Sequence, residues 1–407
     1  MKHMVKFTAL ACCSLAAASL FAEITTGWIQ TGAGPYDYND TRNWAGGVIN
    51  GVFSSDLTLT AAQTITFSQD TTLPNGLTFN HAGAYKITMK SANANTYTLT
   101  LGGDIVNSSK GSVEPEATLA FNLGEETRTI ACNGAAILIH GVISNGGIKF
   151  TGTSDLRLYG ANTFEGGLDV FSTGYLYPRS VNSLGNGTVT FEGNNKVNGE
   201  SSITLANNPI VLKGDIYYTG DKSLNMGAGA VTVTQPLTIT VNKNTFTLGG
   251  PIAVDSPAKI TDVTKAGGGS LSTSAGVEID GTDVIRTTSG TWYFNGAVSG
   301  TGPLIVRGTV EMKGSCSFDG DVRVESGSLR LCAKNVLPAS AKVYIAKGAT
   351  FRNYQSNGYG IATMINGGRI DPSSEGTFGI AENEETRTLT FPTILNWYWL
   401  RTATTGP

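Results

Sequence analysis

The residues best suited to chemistry in this sequence are carboxylates that lie near arginines in one short stretch. Asp155, Glu165 and Asp169 share this stretch with Arg157 and Arg179. Two carboxylates about 5–9.5 Å apart hydrolyse glycosidic bonds, and an arginine or lysine can be the base of a polysaccharide lyase. These residues are therefore the candidate catalytic set of a polysaccharide lyase or a glycoside hydrolase.

A later segment of the chain repeats the pattern around these carboxylates and argues against that set. There the three places are taken by Val310, by Asp319 and by Val322 or Arg323. Positions that change so freely are typical of an outward surface, and a fold that some enzymes share does not make an enzyme. We therefore predict no catalytic residue and no enzymatic activity.

The histidines offer no better candidate. His81 and His140 are far apart in the sequence, and His140 takes the place of Asn295 in the later segment, as a solvated turn residue would. The sequence has no Gly-x-Ser-x-Gly nucleophile motif at a strand-to-helix turn. We interpret both histidines as structural.

The cofactor and metal motifs are incomplete. Three segments resemble parts of nucleotide-binding motifs: 220–223, 227–229 and 300–302. The first lacks the phosphate cradle, and the other two lack a third glycine and a following helix. Asp37, Asn39 and Asp40 could begin a calcium loop, but its glycine and distal glutamate do not follow. We predict neither a cofactor nor a metal ion.

The composition is that of a folded protein without a nucleic-acid partner. The 407 residues are 40% hydrophobic and 14% charged, with a net charge of −3. This charged fraction is well below the roughly 25% of ordinary soluble domains. A nucleic-acid-binding protein would carry a basic stripe, which this sequence lacks.

The first residues have the pattern of an export signal. Lys2 and Lys6 precede an apolar run of small residues at 7–21, which predicts a secretory signal peptide at 1–22. Lipoprotein processing before Cys12 would leave an apolar stretch of about five residues, which is too short for export. No later segment approaches 18 apolar residues, so we predict no transmembrane segment in the mature chain.

Three cysteines remain after the signal: Cys132, Cys316 and Cys332. An exported domain that relies on disulfides usually carries a larger, even set. We interpret these cysteines as small buried hydrophobic residues, and a Cys316–Cys332 disulfide remains the alternative.

The body of the chain alternates aliphatic residues with threonine in short stretches. Examples are 56–60, 96–101, 188–191, 230–234 and 237–241. Successive side chains of a strand point to opposite faces, so this alternation predicts strands with an aliphatic and a threonine face. Asn-Gly and Gly-Gly pairs separate the stretches and favour tight turns. No run has helical spacing after the signal, so we predict an all-β protein.

Longer-range repetition selects among the all-β architectures. Segments 140–191 and 295–345 share a pattern over about fifty residues, and 125–129 returns letter for letter at 384–388. A stacked solenoid needs such repetition, because each coil buries its inner face only against its neighbours. We therefore predict a β-solenoid.

The earlier copy resembles a known repeat. Residues 156–167 read Leu-Arg-Leu-Tyr-Gly-Ala-Asn-Thr-Phe-Glu-Gly-Gly, and Gly174-Tyr-Leu176 and Ser183-Leu-Gly185 follow. This pattern resembles the autotransporter-associated β-strand repeat, or passenger-associated transport repeat. The later copy resembles it more loosely, because Ser315-Cys316 replaces Ala-Asn and Gly320-Asp321 replaces Gly-Gly.

The resemblance implies a right-handed parallel β-helix, as in passenger regions of Gram-negative surface proteins and in large secreted proteins. It implies a structural, adhesive chain that is exported to the extracellular or outer-membrane surface. The expected partners are cell-surface glycans or proteins, bound through outward threonine and asparagine faces. The alternatives are a polysaccharide lyase or glycoside hydrolase on a parallel β-helix, and a sandwich-type carbohydrate-binding module.

The predicted regions are a signal peptide at 1–22, an N-terminal cap at 23–57 and a solenoid at 58–407. Trp28 and Trp44 are suited to cover the apolar end of the first coil. The last residues echo 292–303, which lead into a repeat, so we expect the solenoid to be truncated at its C-terminus. Coils of about 20–25 residues would stack some fifteen to nineteen deep.

Overall fold

A computed structural model describes residues 27–353 and three later strands. Within 27–353 it leaves out 55–56, 236, 255–262, 275, 280–283, 301–302, 319–320, 333–335 and 338–341. The described residues form strands and two 3₁₀ helices, Thr41–Asn43 and Ala45–Gly47. The predicted signal peptide, the repeated segment at 384–388 and the expected C-terminal truncation lie outside the described residues.

Strands stack on three faces of the molecule, and all pairings between the described strands are parallel. The stack of the second face is interrupted between residues 144 and 203. The first face comprises Tyr36–Asp37, Gln63–Phe67, Ile87–Ser91, Val113–Pro115, Ile137–Ile139, Leu156–Leu158, Tyr175–Pro178, Asn195–Val197, Ile216–Tyr218, Leu237–Val241, Val263–Ala266, Val284–Thr287, Lys342–Ile345, Thr363–Asn366 and Leu389–Thr390. The second face comprises Thr71–Leu73, Tyr97–Leu101, Leu119–Asn122, Ile143–Ser144, Ile203–Thr204, Leu224–Asn225, Thr245–Leu248, Ser270–Thr273, Thr291–Phe294, Thr350–Asn353 and Arg369–Pro372.

The third face comprises Val52–Phe53, Leu77–Phe79, Ile105–Asn107, Thr127–Cys132, Gly147–Gly152, Leu168–Ser172, Val189–Phe191, Ile210–Leu212, Val231–Val233, Ile252–Val254, Val277–Ile279, Val298–Gly300 and Cys316–Phe318. Two long strands, Leu304–Met312 and Val322–Leu331, continue through a corner and belong to both the first and the second face. The chain is thus a parallel β-solenoid, as predicted.

The coil length agrees with the sequence pattern. On the third face Leu168 pairs with Val189, Val189 with Ile210, and Ile210 with Val231, each 21 residues further along. This lies within the predicted range of about 20–25 residues per coil. In the part of the chain that the structure describes, the third face has 13 strands, one from each successive coil.

Inward side chains of successive coils stack on one another to form the core. On the third face the stack runs through Ile148, Leu168, Val189, Ile210, Val231, Ile252, Val277, Val298 and Cys316. Burial of one such aliphatic side chain stabilises the fold by about 1.5–3 kcal/mol. In Leu237–Val241 the aliphatic residues are buried, whereas Thr238 and Thr240 face outward, as the alternation predicts.

Glycine is required where neighbouring coils approach closely at a corner. Gly76 has a φ of +73°, and a Cβ atom at this position would lie 1.9 Å from the carbonyl oxygen of Asp104 in the next coil. A side chain here would displace the backbone of that coil. Gly76 in the predicted Asn75-Gly76 turn is therefore needed for two reasons: it adopts the positive φ angle of the turn, and it lets the next coil approach closely.

Aromatic side chains cover the N-terminal end of the core. Trp28 and Trp44 form an antiparallel bridge, their ring centroids lie 5.1 Å apart, and both side chains are buried. The Trp28 ring also packs 5.4 Å from that of Phe53, at the start of the third face. Trp44 Nε1 donates a hydrogen bond of 2.8 Å to the carbonyl of Tyr38. The two tryptophans thus cover the apolar end of the first described coil.

The two copies of the sequence pattern occupy different faces. Leu156–Leu158 lies on the first face, whereas its counterpart Val310 to Met312 lies on the second. Leu168–Ser172 lies on the third face, whereas its counterpart, at the start of Val322–Leu331, lies on the first. The later copy is therefore displaced by one face, because the coils between the copies are not all of one length.

Candidate functional site

The structure divides the candidate catalytic residues between two faces. Asp155, Arg157 and Arg179 lie together at the first face. Glu165 is exposed at the corner before the third face, and Asp169 is exposed on the third face beside Lys149. The five residues of the candidate set therefore do not form one site.

Glu200 joins the arginines of the first face. Its carboxylate lies 3.0 Å from a terminal nitrogen of Arg157 and also accepts a hydrogen bond from Arg179. Arg157 lies 3.5 Å from Asp155 through its other terminal nitrogen. Glu200 is one coil beyond Arg179 and two coils beyond Arg157, so the cluster spans three coils.

Sequence reasoning missed Glu200, and only the coil period could have revealed it. Arg157 and Glu200 are 43 residues apart, which is two coils. No local motif connects the two residues, because the stacking of the coils brings them together. A search for opposite charges at multiples of about 20–25 residues would have found the pair.

The electrostatics of Arg157 favour a charged guanidinium. Burial of this side chain acts to lower its pKa, but the charge of Glu200, with Tyr177 and Asp155, outweighs burial and raises the pKa. A lyase base must be unprotonated to accept a proton. The environment of Arg157 therefore suits an ion pair better than proton transfer.

Tyrosine rings lie against cationic side chains of neighbouring coils. The guanidinium of Arg157 lies 4.3 Å from the ring centroid of Tyr177, and that of Arg179 lies 5.1 Å from the ring of Tyr159. Such contacts each contribute about 0.5–1 kcal/mol at exposed sites. We call the following residues the tyrosine-arginine strip: Asp155, Arg157, Tyr159, Tyr175, Tyr177, Arg179, Lys196 and Glu200.

His140 continues the strip by one coil. Its ring stacks on Tyr159 with a centroid distance of 4.0 Å and an interplanar angle of 14°. Its Nε2 atom lies 3.1 Å from the carboxylate of Glu114, which also pairs with Lys86 at 2.7 Å. The hydrogen bond from Lys86 is the largest cause of the lowered pKa of Glu114. His140 is thus held by two coils rather than free in a turn.

His81 lies apart from this strip. It follows the third-face strand Leu77–Phe79 and is buried. Burial lowers its pKa, so the ring is neutral near pH 7. Among the described residues, His140 contacts a carboxylate, that of Glu114, but neither histidine lies beside both a carboxylate and a nucleophile.

The asparagine of the repeat pattern has a structural role. Asn162 is buried, accepts a hydrogen bond of 2.8 Å from the backbone N–H of Ile143 and donates one of 2.6 Å to the carbonyl of Ser183. These residues belong to the preceding and following coils. We call a side chain that bonds backbone groups of adjacent coils a corner bracket, and Asn107, Asn195 and Asn208 are further examples.

No disulfide joins Cys132, Cys316 and Cys332. Burial raises the pKa of Cys132 and of Cys316 to about 12 and that of Cys332 to about 11. Such thiols are not activated nucleophiles. The prediction of small buried residues is confirmed for Cys132 and Cys316, whereas Cys332 is half-buried and the alternative disulfide is not formed.

The acidic residues near the N-terminus bind neighbouring protein groups. Asp37 accepts a hydrogen bond of 2.9 Å from the backbone N–H of Asn39, and Asp40 pairs with Arg42. In the part of the chain that the structure describes, no group of three His, Cys, Asp or Glu side chains could hold a metal ion. The same part contains no helix long and apolar enough to cross a membrane.

The structure corrects the alignment between the two copies. Val310 is fully buried, so it corresponds to Leu156 and not to Asp155. Val322 is buried as well, which leaves Arg323 as the outward alternative at its position. The expected exchange of a carboxylate for valine is wrong at these positions, because alternation along the strand reserves them for inward side chains. Asp319 lies outside the described residues.

Comparison with known proteins gives no relative. No family model, no curated protein and no solved structure matches this chain.

Proposed function

We propose that this chain is an exported, non-catalytic β-helix with a structural and adhesive function. The resemblance of the earlier copy to the autotransporter-associated repeat supports export to the extracellular or outer-membrane surface of a Gram-negative bacterium. The parallel solenoid is consistent with a passenger segment, because such stacks hold surface side chains at fixed spacing along a rod.

The observation that carries the proposal is the pairing of charges between coils. Glu200 holds Arg157 and Arg179, and Glu114 holds Lys86 and His140. Each carboxylate links different coils, which suits a rigid surface. The pattern favours binding by a fixed array over turnover.

Export and adhesion are tested together in a Gram-negative host. The full chain with a C-terminal epitope is expressed, and cell fractions are analysed by immunoblot and mass spectrometry. We expect loss of residues 1–22, surface or extracellular location, and attachment of purified protein to cells. Retention in the cytoplasm with an intact N-terminus would contradict the proposal.

One observation favours a second candidate function, a glycan-cleaving enzyme. Asp155, Arg157, Arg179 and Glu200 converge at one place on the first face. Acidic and neutral polysaccharides are incubated with purified protein, and unsaturated and reducing ends are measured. We expect no turnover. Reproducible turnover that is lost in Asp155→Asn or Glu200→Gln would establish the enzyme instead.

A further inference from the structure

The outward residues of the tyrosine-arginine strip differ from those of coils further along the same face. Four coils before the strip, Gln63–Phe67 carries Thr64 and Thr66 outward, and two coils after the strip Leu237–Val241 carries Thr238 and Thr240. Within the strip, two successive coils carry tyrosine and arginine, and a third coil carries Lys196. Tyrosine and arginine, with tryptophan, are enriched at the hot spots of protein-protein interfaces, so these side chains are suited to binding surfaces.

The strip is held in place before any ligand binds. Tyr159 lies between the ring of His140 and the guanidinium of Arg179. Arg157 and Arg179 share the carboxylate of Glu200. Side chains fixed in this way lose little conformational entropy when they bind, which favours affinity.

Positive charge exceeds negative charge within the strip. Arg157, Arg179 and Lys196 face two carboxylates, those of Asp155 and Glu200. The ammonium of Lys196 lies 5.4 Å from the ring of Tyr175 and has no ion pair with any described residue. The chain as a whole has a net charge of −3, so this local cationic surface is an exception.

The surface of the strip is polar. The large hydrophobic side chains that the described residues expose all lie elsewhere: Ile29, Val48, Tyr85, Val142, Phe171 and Val181. The core of a protein-protein interface needs such apolar area. Coils repeat about every 4.8 Å, so the strip offers hydrogen-bonding groups at regular intervals along the rod. Regular polar groups suit an extended, hydroxyl-rich polymer better than a protein surface.

We propose that the tyrosine-arginine strip binds an acidic polysaccharide along the first face. Sugar carboxylates pair with Lys196 and the outer edges of the two arginines, and sugar hydroxyls bond to the hydroxyls of Tyr159 and Tyr175. Tyr177 is buried and supports the guanidinium of Arg157. This inference rests on the adhesive function proposed above and assigns the ligand class and the site. It also replaces the expected threonine and asparagine faces with a different surface.

Calorimetry of the full chain with polygalacturonate tests the assignment, and the methyl ester of the same polymer is the uncharged probe. Lys196→Ala and Tyr175→Ala alter the strip, and Lys149→Ala on the third face removes a cation elsewhere. We expect affinity to fall about tenfold in Lys196→Ala, to fall also in Tyr175→Ala, and to stay unchanged in Lys149→Ala. Binding should weaken with added salt and be lost with the methyl ester.

Melting curves of each variant show whether a loss of binding comes from unfolding. Equal binding of the ester and the acid, equal effects of Lys149→Ala and Lys196→Ala, or no binding to either polymer would each overturn the assignment. If the chain is exported and adheres to cells without binding polygalacturonate, only this inference fails. If it binds but is not exported, the proposed function fails and the strip remains a binding site.

Discussion

The two copies of the repeated pattern share apolar side chains at most inward positions and differ in the chemistry of their outward residues. In the earlier copy Asn162 is a corner bracket and the outer surface is the tyrosine-arginine strip. In the later copy Cys316 takes the place of Asn162 and lies in an aliphatic stack. The later copy of the pattern is also displaced by one face of the solenoid. The pattern therefore encodes how a coil packs, and the surface chemistry is set separately.

The largest effect is expected where the two copies are most easily misaligned. Val310→Asp places a carboxylate in the core and should destabilise the later copy by about 4 kcal/mol. Thr309→Asp next to it changes an outward position and should cost less than about 0.5 kcal/mol. Hydrogen exchange of Leu304–Met312 with urea denaturation measures both. Similar effects of the two variants would indicate that Val310 faces outward and that its alignment with Leu156 is wrong.

The second comparison is between the corner bracket Asn162 and its counterpart in the later copy, Cys316. Asn162→Ala leaves the N–H of Ile143 and the carbonyl of Ser183 without their partner in a buried corner. We expect a loss of about 2–3 kcal/mol in the unfolding free energy of the earlier copy. Cys316→Ala removes one buried sulfur atom and should cost about 1 kcal/mol. Equal losses, measured by hydrogen exchange in each copy, would show that Asn162 only fills space.

Between the copies a charged side chain acts as a corner bracket. Lys265 is fully buried, and its ammonium donates hydrogen bonds to the carbonyls of Gly267 and, at 2.7 Å, of Ser289 in the next coil. Burial lowers the pKa of Lys265 to about 8. Lys265 therefore loses its proton near pH 8 in the folded chain, whereas in the unfolded chain it keeps the proton until about pH 10.

This coil should therefore become more stable as pH rises. Between pH 7.5 and 9.5 the unfolded state binds more protons than the folded state, so we expect a gain of about 1–3 kcal/mol. Hydrogen exchange of Val263–Ala266, corrected for its intrinsic pH dependence, measures the gain. Lys265→Met should abolish the pH dependence, and Asn208→Ala, at a neutral bracket, should leave it unchanged. If the stability of this coil in the unaltered chain does not change between pH 7.5 and 9.5, the expected increase with pH is wrong.

Local sequence was enough to predict the elements but not their placement. Alternation of leucine with threonine at 237–241 predicts a strand and its buried face, and the structure has both. Which face a strand joins depends on all preceding corners. Coil partners are 21 residues apart at Leu168 but 25 apart at Ile252, and such differences add up along the stack. Glu200 pairs with Arg157 because the lengths of the coils between them bring the two residues together, so no local pattern predicts the pair.

The smallest effect concerns two ion-paired carboxylates, Glu200 in the tyrosine-arginine strip and Glu325 in the later copy. Glu200 holds two arginines and is about one quarter exposed, whereas Glu325 is 37% exposed and, among the described residues, pairs with Arg307 alone. Glu200→Gln should cost about 1 kcal/mol and Glu325→Gln about 0–0.5 kcal/mol, because exposed single pairs contribute little. The difference should shrink in 1 M salt, where the screening length is about 3 Å. If Glu325→Gln costs as much as Glu200→Gln, the shared carboxylate gives no advantage over a single pair. The rigidity of the tyrosine-arginine strip would then have to come from the stacked rings of His140 and Tyr159, which salt leaves intact.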